Sequence, residues 1–375
     1  MAGHYPHVRV VGAPHERGLQ YGTQAASRVR RSVDAYRGVF ERWAGLDWAS
    51  ARRLAVEYVP SIAAFDERCL DEMRGIAEGA GLDFEDVLAI NVRTEVMFAA
   101  KARAALDLQR PAAECTALAV LPAATAQGRI LIAQNWDWLV HTRETVVVLE
   151  AEQDEGPRFV TVVEAGLLAK FGLNSAGVGI LTNALVCDGD VGEPGVPYHV
   201  VLRSLHDAAD VTDALTRLQG AARSSSANYI LACEDGPAID AECTPGDFSR
   251  VLIVEPEGGL IAHTNHFLSP RFDAVDVGRW VMPDGIFRLQ SVGEFLRPRL
   301  GGVRPETLQQ ALSLHEGHPA GVCSHEREDL DPAERDATIV SAVIDLGRRR
   351  MWLADGNPCT AGYRPLDYSG FLASH

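Results

Sequence analysis

The sequence predicts an α+β fold, a two-sheet sandwich covered by helices on both sides, and three observations predict it. A helical apolar period runs through the first quarter, short β-rich runs separated by turn residues follow, and pairs of helical segments return among the later strands. With 375 residues, 47% of them hydrophobic and 23% charged, the chain has the composition of an ordinary globular protein with a sizeable core.

From about Leu19 to Met97 the apolar residues step by three and four. Val29, Val33, Tyr36, Phe40 and Trp43 form one helical stripe, and Ile62, Phe65, Cys69, Met73 and Ile76 form another. Gly79-Ala80-Gly81 ends the second, and Asp83 is placed to cap a third through Val87 and Val92. Lys101 to Ala113 is Ala/Arg-rich, lacks alternation and reads as an exposed connector. A strand-like run from Thr116 to Leu121 follows at once, so the change of style falls at Glu114-Cys115.

Beyond it, Ile130 to Ala133, Thr145 to Leu149, Phe159 to Val163, Val178 to Leu181, Tyr229 to Cys233, Val251 to Val254 and Leu260 to His263 read as hairpin-connected antiparallel strands. The intervening Asn174 to Gly177, Glu234-Asp235-Gly236 and Glu257-Gly258-Gly259 supply the turns. Helical sequence returns at Val196 to Leu205, Val211 to Leu218, Phe287 to Leu296 and Pro305 to Leu314. Strands at Thr338 to Asp345 and Arg350 to Ala354 close the chain.

A formal charge of -16 argues against nucleic-acid partners, whose phosphates need clustered Lys and Arg. No segment approaches the apolar length of a membrane span, and the N-terminal residues carry neither a basic leader nor an apolar run, so the expected compartment is the cytoplasm. Seven scattered cysteines without a CxxC pair suit reduced thiols. No Walker motif or strand-linked GxGxxG is present, and no cofactor is expected. His315-Glu316-Gly317-His318, with Cys323 and His325, concentrates potential metal ligands. The histidines are three apart and precede Pro319, whereas a zinc helix spaces them by four, and no metal is expected.

Cys115 stands at the composition break, Gln134-Asn135-Trp136-Asp137-Trp138 follows, and His263-Thr264-Asn265-His266-Phe267 comes much later. With Gly172 to Gly179, Leu181-Thr182-Asn183-Ala184-Leu185, Ser225 to Tyr229 and Gly356-Asn357-Pro358-Cys359 in the same order, the chain resembles the acyl-coenzyme A:6-aminopenicillanate acyltransferase (isopenicillin N acyltransferase) family. Its members are self-processing N-terminal nucleophile hydrolases.

The resemblance implies a four-layer αββα sandwich. It also implies cleavage at Glu114-Cys115 into a helical α chain (1–114) and a catalytic β chain (115–375) that stay associated. The family's prototype has glycine before the cysteine, where this chain has Glu114. Cleavage would give Cys115 both a thiol of pKa about 8.5 and an α-amine of pKa about 7.7 to 8.0 to take its proton. By the same resemblance Asp137 bonds the new amine, and Asn265, with Asn183, supplies oxyanion-hole donors. Trp136 and Trp138 are walls. Ser225, Ser226, Asn228, Thr244 and Arg335 lie in matching segments as processing helpers or structural hydrogen-bonders.

The implied activity is amide hydrolysis or acyl transfer on a small N-acyl compound or acyl-coenzyme A. Two alternatives stand beside it: a papain-like hydrolase pairing Cys115 with His263 or His266, and a non-catalytic scaffold that keeps the fold.

Overall fold

The computed structural model of the chain describes residues 4–97 and 115–373. The connector and Glu114, half of the expected cleavage site, lie outside the described residues. An eight-stranded sheet orders β1 (His7–Gly12), β4 (Val146–Gln153), β5 (Phe159–Glu164), β6 (Phe171–Asn174), β7 (Val178–Ala184), β8 (Ala227–Cys233), β9 (Ala238–Cys243) and β10 (Val251–Val254). A six-stranded sheet orders β11 (Leu260–His263), β2 (Thr116–Val120), β3 (Leu131–Leu139), β12 (Asp336–Asp345), β13 (Arg350–Ala354) and β14 (Arg364–Asp367). β2 (Thr116–Val120) packs on β7 (Val178–Ala184) and β8 (Ala227–Cys233), while β3 (Leu131–Leu139) packs on β7, so the two sheets lie face to face.

Helices cover both outer faces. Over the larger sheet lie α1 (Pro14–Gln24), α2 (Ala26–Ala44), α3 (Trp48–Val56), α4 (Val59–Ala80), α5 (Phe84–Asn91), α6 (Tyr198–Leu205) and α7 (Val211–Gly220). The short α8 (Gly278–Val281) precedes α9 (Asp284–Leu296) and α10 (Pro305–Leu312). These last two cover the smaller sheet, α9 on β2 and β11 (Leu260–His263), α10 on β3 and β12 (Asp336–Asp345). The architecture is a four-layer αββα sandwich, as expected.

The period-two rule is visible in β2. Leu118 and Val120 pack with Val292, Leu296 and Leu308 under the outer helices, while Cys115, Ala117 and Ala119 belong to the core between the sheets. Gly81, at the end of α4, is left-handed with φ 65°, and Asp83 caps α5, its N–H donating to Asp86 at 3.2 Å.

Three elements depart from the sequence reading. The first quarter is not purely helical: His7–Gly12 forms β1, whose alternating His7-Val8-Arg9-Val10 buries Val8 and Val10. β1 pairs in parallel with β4 (Val146–Gln153), so the sheet is not wholly antiparallel. Parallel pairing needs no hairpin, and no local turn marks it. The strand expected at Ile130 to Ala133 runs on through the Asn-Trp-Asp segment as the single strand β3. Phe171–Asn174, ahead of the expected turn, is a further strand, β6.

α1 and α4 approach backbone to backbone. A Cβ at Gly18 would stand 2.1 Å from the Glu72 carbonyl oxygen, one at Gly22 2.2 Å from that of Ile76, and one at Gly75 2.2 Å from that of His15. Only glycine at i and i+4 on both helices permits that distance. Gly75→Ala is expected to lower stability by about 1–3 kcal/mol in denaturant unfolding. Gly38→Ala, where the added carbon meets only the mobile end of Arg42, should be neutral or stabilising.

Candidate active site

Cys115 sits immediately before β2, flanked by β11 on one side and β3 on the other. Ala117 pairs with His263, and Thr116 pairs with Asn135. Continuing those registers brings Asn265 level with Cys115 from one neighbour and Trp136 level with it from the other. Asp137 is one residue further along β3 and pairs with Thr338 on β12. Four adjacent strands thereby gather Asn265, Cys115, Asp137 and Thr338 at one end of the smaller sheet.

A residue absent from the sequence reading holds this end together. Arg288, on α9 and only 1% exposed, donates from Nη1 to the Cys115 carbonyl at 2.8 Å and to the Thr116 hydroxyl at 2.9 Å. Its Nη2 donates to Asn265 Oδ1 at 2.8 Å, and its Nε donates to Asp284 at 2.7 Å. Burial opposes its charge, but Asp284 and Asp137 carry its pKa above the ordinary arginine value. The planar fork, with five N–H donors, serves these four groups at once, one more than the three N–H of a lysine could reach. Because Arg288 claims Oδ1, the Asn265 amide is oriented with Nδ2 outward, donating to the Ala184 carbonyl at 2.9 Å.

Asp137 is fully buried. Its Oδ1 accepts from the Thr338 hydroxyl at 2.6 Å, while its Oδ2 has no hydrogen-bond partner among the described residues. Burial pushes its pKa up to about 8 against the lowering pull of Arg288 and Thr338. Strand parity puts Asp137 on the helix-covered face with Thr116 and Asn135, whereas the Cys115 side chain belongs to the core between the sheets. The acid is thus placed toward the main chain of Cys115 rather than its thiol.

Asn183 lies within β7, two residues beyond the strand expected at Val178 to Leu181. Its Nδ2 donates to the His263 carbonyl at 3.0 Å and its N–H donates to Asn228 Oδ1 at 2.8 Å. Asn228 in turn donates to Asp240 at 2.7 Å. Asn183 and Asn265 each spend one amide hydrogen on a carbonyl of the opposite sheet edge, stitching the ends of β7 and β11 together. Each Nδ2 retains a second hydrogen.

Neither nearby histidine suits the role of base. His263 uses Nε2 on Glu242 at 2.8 Å and Nδ1 on the Thr264 carbonyl at 2.8 Å, so both ring nitrogens are committed. Burial alone would depress its pKa, but Asp240 and Glu242 outweigh it and lift the value to about 9. His266, with Nδ1 3.2 Å from the Thr264 hydroxyl, is pushed down to about 4 by burial and by His263, too weak a base for a thiol.

The remaining sequence candidates divide. Ser225 donates to buried Glu95 at 2.9 Å, and burial lifts that carboxyl to about 7. Ser226 Oγ lies 3.4 Å from Cys187 Sγ. Arg335 donates to the Leu330 and Glu328 carbonyls and braces its own loop. Thr244 lines a cleft of about 460 Å³ with Cys187, Arg223, Ser224 and Arg250, beside the strand ends that carry Asn183 and Asn228. Trp136 is a buried wall, with the Lys170 ammonium 4.8 Å from its ring centroid. The sequence signal for Arg288 was slight: an Asp284/Arg288 pair at i, i+4, which ordinarily marks a solvated helix face.

Residues 124–360 match the family described as acyl-coenzyme A:6-aminopenicillanic acid acyl-transferase, a span that includes Asp137, Asn183 and Asn265. The chain is also 25% identical over 356 residues to the acyl-coenzyme A:6-aminopenicillanic-acid-acyltransferase 40 kDa form of Emericella nidulans, across 94% of this chain and 93% of that protein. Among solved structures it is similar to penicillin V acylase from Agrobacterium tumefaciens, at 15% identity and a TM-score of 0.44, covering 69% of this chain and 88% of that one. A conjugated bile acid hydrolase from Clostridium perfringens is similar at 11% identity and a TM-score of 0.43, covering 68% and 92%. The chain belongs to the acyl-coenzyme A:6-aminopenicillanic acid acyl-transferase family.

The raised Asp137 pKa has a signed consequence for the uncut chain. An unfolded Asp ionises near pH 3.9, so between there and about pH 8 the folded state holds a proton that the unfolded state has lost, and stability falls as pH rises. In a Cys115→Ala background, the Asp137→Asn exchange should flatten this part of the slope when unfolding is followed by denaturant across that range.

Proposed function

We propose that Cys115 is the nucleophile of a self-processing amidohydrolase or acyltransferase, acting on N-acyl amides or acyl thioesters of small molecules. The observation that carries this reading is the convergence of the Cys115 carbonyl and the Asn265 side chain on one buried guanidinium, Arg288. It fixes the residue that would become the new N-terminus against an amide donor, in a chain of a family named for acyl transfer.

In the uncut chain, Cys115 Sγ attacks the Glu114 carbonyl carbon, the acyl group passes from nitrogen to sulfur, and water opens the thioester. The products are the Glu114 carboxylate and the Cys115 amine. That amine then takes the thiol proton, so no histidine base is required. Asp137, whose buried Oδ2 has no hydrogen-bond partner among the described residues, accepts a hydrogen bond from the amine and holds its lone pair in place. The arrival of a cation there would favour the ionised carboxylate and reverse the effect of burial.

In the second reaction Cys115 attacks the substrate acyl carbon, and the leaving amine or thiolate departs with a proton. Water or an amine then takes the acyl group. The second N–H of Asn265, joined by that of Asn183, stabilises the oxyanion. The committed ring nitrogens of His263 and the weak basicity of His266 weigh against a papain-like pair.

Denaturing mass spectrometry tests the first event: wild type should separate into fragments 1–114 and 115–375, and Cys115→Ala should remain intact. A full-length wild type that turns over N-acyl substrates would refute self-processing. For the second event, Asn265→Ala in cleaved protein should reduce kcat by about 100- to 1,000-fold in amine release from a panel of N-acyl amides.

A further inference from the structure

Between α10 and β12 the chain passes through an irregular segment, residues 313–335, which meets the short helix Pro358–Ala361 after β13 (Arg350–Ala354). Four side chains converge there, three from residues 315–325 and the fourth, Cys359, from the short helix. His315 Nε2 and His325 Nε2 are 3.1 Å apart, and Cys323 Sγ and Cys359 Sγ are 3.5 Å apart. Each thiol is 3.5 Å from His325 Nε2, and all four atoms lie within 4.8 Å of one another. We propose that His315, Cys323, His325 and Cys359 form a tetrahedral zinc site.

The distances carry the argument. Zinc bonds of about 2.3 Å to sulfur and about 2.0–2.1 Å to nitrogen give a tetrahedron with edges of about 3.3 Å (N–N), about 3.6 Å (S–N) and about 3.8 Å (S–S). Four of the six edges fall within about 0.3 Å of those values, and the two between His315 and the sulfurs lie within 4.8 Å. Two thiols and two imidazoles without a carboxylate form a soft ligand set that selects zinc over calcium or magnesium.

The surroundings suit thiolate sulfur. Asn357 Nδ2 lies 3.5 Å from Cys323 Sγ, and the Asn357 carboxamide is oriented by Arg143, which donates to its Oδ1 at 2.9 Å. Backbone bonds from Cys323 to the Leu314 carbonyl and from His325 to that of Pro319 fix the loop from within. Binding is a ligand exchange without redox change: both thiols release their protons to solvent, two neutral imidazoles donate lone pairs, and the resulting centre is neutral. The expectation of no metal weighed only the spacing within 315–325, and Cys359 enters from another part of the chain.

The site would clamp the loop to the end of β13, one residue from the acid's support. Ser324 donates its N–H to Thr338 Oγ1 at 3.0 Å, and Thr338 is the residue that holds Asp137. The metal assignment itself does not depend on what Cys115 does.

Metal analysis of tag-free protein, purified without chelator from zinc-supplemented cells, tests it. Wild type should carry stoichiometric zinc, and Cys359→Ser and His315→Ala, both at exposed positions, should lose most of it while keeping the wild-type circular dichroism. Cobalt exchanged into wild type should show thiolate charge-transfer and intense tetrahedral visible bands, and a chelator should lower the Tm of wild type but not of Cys359→Ser. Folded wild type that neither contains zinc nor acquires these bands would overturn the proposal, as would zinc retained undiminished in a Cys323→Ser/Cys359→Ser variant. A Cys323–Cys359 disulfide in place of metal, in protein made under reducing conditions, would overturn it too.

Discussion

The end of the smaller sheet depends on keeping a guanidinium out of water. Removing a cation from solvent costs several kcal/mol unless its donors are fully used, and Arg288 meets that demand with a carboxylate, a hydroxyl, a carboxamide and a main-chain carbonyl. Each partner is thereby restrained: the strand start at Cys115, the amide orientation of Asn265 and the first turn of α9 at Asp284. The arrangement is cooperative, because loss of one acceptor leaves a buried donor unpaired while the others still hold the charge inside.

The same economy governs the facing strands β8, β9 and β11. Asp240, His263, Glu242 and Asn228 are all buried, and Asn183 donates its main-chain N–H to Asn228 and its Nδ2 to the His263 carbonyl. Burial lifts the Asp240 pKa to about 6 despite the nearby imidazole. Two polar clusters, one around Arg288 and one spanning the two sheets, thus brace the two asparagines that link the strand ends. Rigid support of this kind is what an amide donor needs to meet developing charge without reorganising.

Much of this was legible in the sequence, and the exceptions have physical causes. The helix-to-sheet order and the break at Cys115 follow from apolar period and turn residues, whereas Asp137, Asn183 and Asn265 were singled out by the resemblance of their segments to a known family. Arg288 was not legible, because an arginine paired at i+4 looks the same on a solvated face and in a core until its neighbours are known. β1 was missed because six residues of weak alternation gain strand character only from a partner some 140 residues away. Asp137 was identified, but its place within a strand follows from pairing with β12 rather than from its own segment. Cys359 was isolated in sequence from the histidines it joins, and only the fold brings it to them.

β1 and the closely seated α1 and α4 precede Cys115 in the chain, yet β1 is an edge strand of the larger sheet, paired with β4, and the helices build much of the layer over it. In a molecule cut before Cys115, those elements would be a separate subunit held by the β1–β4 pairing and by helix packing rather than by a peptide bond. Unfolding would then release two bodies instead of one, so stability would depend on protein concentration, and the reverse reaction would become bimolecular. The cut molecule would persist chiefly because its unfolding is slow, its lifetime set by a barrier rather than by an equilibrium.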